Sequence, residues 1–454
     1  MRVFMLGWEF PPFISGGLGT ACYGLTKAMS GIGTDVMFVL PRPVASPFST
    51  HVRLVSPRPG SSLAAPATEF RLDEFDNVTF RTVTAQLSDP YIHPKQYIGT
   101  RSDPQHEHTY LPLNGDVDST TPTEPAKNLF GPAPAGPNAH YAGDLLAEVQ
   151  RYASLAAEVA RGESFDVVHA HDWMTFPAGL AVAALKGVPL VVHVHSTEFD
   201  RSGTNVDNRI YDIERRGMHG AMKIIAVSYL TKNIITHHYG INPSKVEVVY
   251  NAIESNGSGG AYEPQNFAIS NDEKIVLFLG RITMQKGPEY FLAAARRVLE
   301  VMDNVKFVMA GSGDMIRRTI EMAAAMGIGH KVLFTGFLRG PDVEKVFKMA
   351  DLYVMPSVSE PFGIAPLEAM SHDVPVIISK QSGVSEVLNH ALKVDFWDVN
   401  EMANKIVAVL RHPPLASTLR QHGSFEVNRL SWTDAARACL GVYEQALHGM
   451  HSRN

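Results

Sequence analysis

The segment Glu360-Pro-Phe-Gly-Ile-Ala-Pro-Leu-Glu368 sets two carboxylates on either side of a helix start. The first backbone N–H groups of a helix have no partner within it and its dipole adds positive potential, so a phosphate is favoured in front of them. Pro361 and Gly363 keep Glu360 in a loop, and Pro366 fits the first helical position, which leaves Glu368 in the first turn. One acid then reaches toward a sugar and the other toward hydroxyls beyond the phosphates, a layout that suits a nucleotide-sugar. Taken alone, the pair also reads as a dipole-complementing Glu368 and a solvated loop acid. A second anchor lies upstream, where Gly280-Arg281-Ile-Thr-Met-Gln-Lys286-Gly287 follows an apolar run over 275–279. A buried strand ending in Gly-Arg, with Lys286-Gly287 opening the next helix, places two cations at the carboxyl edge of a parallel sheet. Charge-assisted bonds from Arg281 and Lys286 to a diphosphate contribute about 1.5–3 kcal/mol each, and they matter most if that diphosphate departs.

Several further residues stand at strand ends. Gly16-Gly17-Leu18-Gly19 lies between the first strand and the first helix, where glycines let backbone approach a phosphate, although a packing turn has the same form. His169-Ala-His171-Asp172-Trp173 and His193-Val-His195-Ser-Thr-Glu-Phe-Asp-Arg201 each end an apolar run. Period-two spacing puts His169 with His171, and His193 with His195, on common faces. Paired His-x-His strands can build a metal site, but further ligands are not evident, so no metal is expected. His169 and His193 read as satisfied core imidazoles, whereas His195 and Asp172 read as facing a sugar or acceptor pocket. Ser228 is expected to be a helix N-cap rather than a nucleophile. Tyr250-Asn251 and Gly311-Ser-Gly-Asp314 end strands and can contact nucleotide or acceptor, or simply form turns. Asp116-Val-Asp118 falls in an irregular stretch and reads as chance.

The elements that must position these residues alternate strand and helix. Strands are expected over 2–6, 35–40, 167–170, 189–194, 223–227 and 246–249, with helices over 19–30, 139–160, 176–185 and 229–239. An insertion over about 41–137 interrupts them, with 52–55 and 78–83 as possible paired strands and 114–137 as a surface loop. Periodicity lapses over 251–271 around Asn256-Gly-Ser-Gly-Gly260, a linker composition. A second alternating series has strands at 275–279, 306–310, 332–334, 352–355 and 374–378. The expectation is therefore an α/β chain with two doubly wound parallel sheets: domain 1–255 with the insertion, domain 256–430, and a helix within 431–454 packing back on the first domain. The ligand is expected between the two sheets.

At 454 residues the chain exceeds the size of a single core. Hydrophobic residues at 45% and charged ones at 19% are ordinary for a soluble enzyme, and a net charge of −6 gives no reason to invoke nucleic acid. Two cysteines, Cys22 and Cys439, argue against a disulfide scaffold, and neither a signal peptide nor a membrane-spanning run is evident. A cytoplasmic location is expected, with the oligomeric state left open.

With Gly16-Gly17-Leu18, His195, Arg281, Lys286 and Glu360 through Glu368 in that order, the chain resembles the retaining family-4 glycosyltransferases of GT-B fold. The resemblance spans nearly the whole chain apart from the insertion. His169-Ala-His-Asp-Trp173 and the Trp8-Glu9 opening are similar to bacterial glycogen and starch synthases, while Pro11-Pro12 and the His195–Arg201 string lean toward the family-4 branch. Ile14-Ser15 stands where typical bacterial glycogen synthases have Lys-Thr. The resemblance implies that Arg281 and Lys286 neutralise the departing diphosphate, that Glu360 holds sugar hydroxyls and that Glu368 holds the ribose. Amides of Phe362, Gly363 and Ile364 would meet sugar and phosphate, with Gly17, Leu18 and Gly311 also on the donor. His195 would line the sugar pocket with Asp172 and Asn251. It further implies glucosyl transfer from ADP- or UDP-glucose to a glucan or other sugar acceptor, with no cofactor and no metal. A sucrose-type or glycoconjugate transferase, or a nucleotide-sugar epimerase on the same fold, are the alternatives.

Overall fold

The computed structural model describes residues 1–10, 17–41, 68–70, 78–82, 145–253 and 273–452. The expected strand at 52–55, the loop at 114–137, Asp116-Val-Asp118, Pro11 through Gly16 and the 256–260 linker lie outside the described residues. Met1–Ala85 with Val149–Asn454 form one compact unit that holds both sheets, and Gln86–Glu148 form a second.

The first sheet contains β1 (Arg2–Leu6), β2 (Asp35–Leu40), β3 (Thr68–Phe70), β4 (Val78–Thr82), β5 (Val167–His171), β6 (Leu190–Val194), β7 (Lys223–Ala226) and β8 (Val246–Val248). Its order is β3-β4-β2-β1-β5-β6-β7-β8, parallel throughout except for β3 against β4. The second sheet contains β9 (Lys274–Leu279), β10 (Val305–Ala310), β11 (Val332–Gly336), β12 (Leu352–Met355), β13 (Val376–Ser379) and β14 (Leu392–Val394). Its order is β11-β10-β9-β12-β13-β14, all parallel. The parallel strands run outward in opposite chain directions from β1/β5 in the first sheet and from β9/β12 in the second, which makes each sheet doubly wound. Strands covered on both faces should read as continuous apolar runs. β5 and β6 are buried along their whole length and β9 over its middle, in keeping with that rule.

The differences from the sequence reading are local. Val78–Thr82 pairs with β2 and β3. β14 was not expected, because three residues carry no usable periodicity. Pro366 takes the second rather than the first helical position, because the helix Ala365–Ser371 begins one residue earlier. The last helix, Trp432–His451, packs on Gly17–Gly31: a Cβ on Gly24 would lie 2.3 Å from the Trp432 indole, so only glycine admits that approach. Among the described residues, no helix is long and apolar enough to cross a membrane.

Candidate active site

The chemistry-bearing residues of the second sheet flank its reversal point. Arg281 and Lys286 follow β9, while the 360–364 loop follows β12. Met284–Lys286 forms a single 3-10 turn, and Gly287, at φ 64°, then caps the helix Pro288–Leu299. Lys286 thus stands just before that helix rather than inside it, and its ammonium pairs directly with the Glu360 carboxylate, which Ser357 Oγ also approaches at 3.3 Å. Val358 N donates to Gln285 O at 2.9 Å, which ties the two loops together at the backbone.

Gly363 has φ 100°, and a Cβ there would lie 3.1 Å from Glu360 Cγ. The chain therefore doubles back over the acid. Among the described residues, no hydrogen bond uses the amides of Phe362, Gly363 or Ile364, while the Phe362 carbonyl accepts from Val384 N at 2.7 Å. Backbone N–H groups without a protein partner, close in sequence to the acid that pairs with Lys286, are groups of the kind that can bind an anion. Gly311, at φ 145°, packs so closely on Gly280 that a Cβ would lie 1.8 Å from its carbonyl oxygen, which places β10's loop beside Arg281. Glu368 is half-buried, and no described residue hydrogen-bonds its carboxylate. Burial pushes that carboxyl up to about 7. It can therefore meet ligand hydroxyls as an acceptor, or as a donor when protonated.

The first sheet contributes a denser polar group. β5 and β6 pair in the register His171↔His193, so the period-two faces of the two strands coincide. His169 and His171 stack at 4.3 Å, His193 and His195 at 4.1 Å, and His171 Nδ1 lies 2.9 Å from His195 Nε2. Tyr443, from the last helix, bonds His169 Nδ1. Burial among neighbouring rings holds His169 and His195 down at about 3, and His171 and His193 well below their usual value. All four rings are therefore neutral. The expectation of satisfied core imidazoles fails for His193, because both of its nitrogens lack partners among the described residues, as does His169 Nε2.

His169, His171 and His193 bring ring nitrogens within 4.8 Å of one another and are the residues that could hold a metal. Tetrahedral ligation at about 2.0–2.1 Å needs nitrogens about 3.4 Å apart with lone pairs converging. The rings lie only 22–30° from parallel, which sets the lone pairs side by side. As stacked, they do not form a metal cage.

Asp172 adopts φ 59°, a left-handed conformation that Asp tolerates. The turn aims its carboxylate at His195 N, 2.6 Å away, and at Ser196 N, 3.3 Å away. Burial raises its pKa to about 7 against the pull of those bonds and of Arg201. Asp172 and His195 are thus brought together. Asn251 and Leu18 are buried, and Gly17 is exposed at its helix start. No described contact joins Gly17, Leu18 or Asn251 to the lysine and glutamates.

Direct bonds join the two sheets at this edge, and sequence reasoning missed most of them. Ser359 Oγ donates to Asp200 Oδ1 at 2.6 Å, so the loop that carries His195 docks on the residue before Glu360. Ser228 caps the helix Tyr229–His238 as expected, and its hydroxyl also donates to Pro361 O at 2.6 Å. Glu386 accepts from Tyr229 N, Leu230 N and Tyr250 OH at 2.8–3.0 Å. The Asp200 string, Ser228 and Tyr250 were visible in the sequence, but their partners across the sheets, Ser359, Pro361 and Glu386, carried no signal there. A cavity of about 870 Å³ near the amino ends of β6 and β7 contains none of these residues. In doubly wound sheets chemistry belongs at the carboxyl edge, and that is where the candidate residues lie.

Three family descriptions match successive parts of the chain: starch synthase catalytic domain over 2–113, glycosyltransferase family 4 over 116–256, and glycosyl transferases group 1 over 262–424. The chain is 33% identical over 303 residues to an uncharacterised glycosyltransferase of Methanocaldococcus jannaschii, covering 63% of this chain and 77% of that protein. It is 25% identical to the glycogen synthase of Mycobacterium tuberculosis, covering 99% and 96%. The crystal structure of Anabaena Alr3699/HepE in complex with UDP and glucose superposes with a TM-score of 0.65 at 16% identity, covering 98% of this chain and 100% of that one.

Proposed function

This chain belongs to the family-4 glycosyltransferases of GT-B fold, and on that premise we propose that it moves a glucosyl unit, with retention, from ADP- or UDP-glucose to an α-glucan acceptor. The observation that carries this reading is the meeting of the Lys286–Glu360 pair with the unused amides of 362–364 at the reversal point of the second sheet. A pyrophosphoryl group fits in front of those amides, with Lys286 and Arg281 stabilising charge as the leaving group departs. Glu360 holds sugar hydroxyls while sharing Lys286, and Glu368 takes the ribose. The 1–255 half presents His195, Asp172 and Asn251 to the sugar and acceptor, with Gly17 and the Leu18 backbone approaching the phosphate. The 256–430 half, with Gly311 at its strand edge, holds the donor.

None of these groups is placed as a nucleophile. Glu360 is committed to Lys286, so the reading is same-face attack: the C1–O bond to phosphate breaks, the acceptor oxygen bonds C1, and the leaving phosphate takes the acceptor proton. Two fixed cations supply the charge, so no divalent metal is required, and the setting is the cytoplasm. Support for a glucosyl nucleotide comes from the glycogen synthase relative and from the UDP and glucose in the Anabaena structure. Nucleotide release would be measured across ADP-, UDP- and GDP-sugars, with and without maltooligosaccharide. Acceptor-dependent release from one glucosyl donor is expected; turnover of donor without any acceptor would favour an epimerase.

A further inference from the structure

We propose that His171 is a positioning residue that fixes the tautomer and orientation of His195, so that His195 presents Nδ1–H to the donor sugar. The inference rests on the sugar-facing role given to His195 above. The two rings meet through His171 Nδ1 and His195 Nε2 at 2.9 Å, and one proton serves that contact. If His195 Nε2 carried it, His171 would hold its own proton on Nε2, a buried atom with no partner among the described residues. With the proton on His171 Nδ1, only a lone pair is left unpaired there. Buried N–H groups without an acceptor are the rarer defect. His195 Nε2 therefore accepts, and its proton resides on Nδ1, the nitrogen left for a ligand on a half-buried ring.

His171 is well held for this task. It is fully buried and stacks on His169 at 4.3 Å, with His193 at 5.2 Å. Its carbonyl accepts from Thr175 Oγ1 at 2.8 Å. His195 is fixed on its other side by Asp172, which accepts from its backbone N–H. Asp172 thus sets where the His195 backbone stands, and His171 sets which way its ring faces. Burial keeps both imidazoles neutral, so the contact stays a directional hydrogen bond.

The test is a double-mutant cycle read as UDP release from UDP-glucose and ADP release from ADP-glucose, with maltooligosaccharide present. Groups that orient another functional side chain typically carry about 10–100-fold in activity. His171→Ala is expected to lower kcat/KM by that factor, and His171→Asn, which keeps an N–H near the Nδ1 position, to recover most of it. His171→Gln, whose amide sits at the Nε2 position, should recover little. The double variant His171→Ala/His195→Ala should be no worse than His195→Ala alone. Nitrogen-detected NMR of the wild type should show His195 protonated at Nδ1, and His171→Ala should abolish that single-tautomer signature. Multiplying effects in the double variant, or equal activity of the Ala, Asn and Gln variants, overturns the proposal while leaving the role of His195 intact. Wild-type activity of His195→Ala overturns both, and that single variant tells the two failures apart.

Discussion

The ammonium of Lys286 is paired with the carboxylate of Glu360, with 21% and 8% of the two side chains exposed. The cation expected to meet a diphosphate and the acid expected to hold a sugar are thus one unit, which a donor must engage together. Lys286 has three N–H donors and can serve both oxygens. Its removal also leaves Glu360 nearly buried without a counter-charge. Lys286→Ala should lower turnover by about 10²–10³ and stability by about 1–3 kcal/mol. Arg281→Ala should lower turnover to a similar degree with a smaller change in the melting temperature. Initial rates and thermal melts on both variants check this; near-normal turnover in both would contradict the leaving-group role.

Glu368 provides a pH signature. With its carboxyl held up at about 7 by burial, it is protonated in slightly acid solution and ionised above that value. The ionised form accepts from two ribose hydroxyls at once. Donor KM should therefore fall as pH rises from 6 to 8, and Glu368→Gln should flatten the dependence. A variant that keeps the wild-type pH profile would place the ribose elsewhere.

The histidine stack should make the fold acid-sensitive. A His held neutral in the folded state and free to protonate when unfolded takes up more protons in the unfolded state, so its contribution falls as pH drops below about 6.5. Glu368 and Asp172, both raised, act with opposite sign between their ordinary range and about 7, so a comparison with a variant isolates the imidazole. His193→Asn should gain melting temperature relative to wild type as pH is lowered from 7 to 5. Parallel curves for the two proteins would rule this out.

Metal removal is the simplest of the checks. If fixed cations supply the charge at the diphosphate, turnover after EDTA treatment and desalting should equal that of untreated enzyme. Loss of activity restored by Mg²⁺ or Zn²⁺ would reassign that work to an ion.

The strand and helix alternation, the doubly wound class and the carboxyl-edge position of Arg281, Lys286, Glu360, Asp172 and His195 were legible in the chain. Apolar runs ending in Gly-Arg or His-Asp are set by local backbone geometry, and period two and period 3.6 can be read residue by residue. The Ser228 cap was legible for the same reason, since the hydroxyl and the amide it serves lie three residues apart. What the chain did not contain was register and docking. Whether His171 lies opposite His193 depends on how β5 slides along β6. Likewise, the Lys286–Glu360 bond spans 74 residues and Ser359–Asp200 spans 159. The first exists only once β9 and β12 lie side by side in the second sheet, and the second only once the two sheets have packed. Periodicity therefore fixed which residues reach an edge, and tertiary packing alone decided which of them touch and which protons they share.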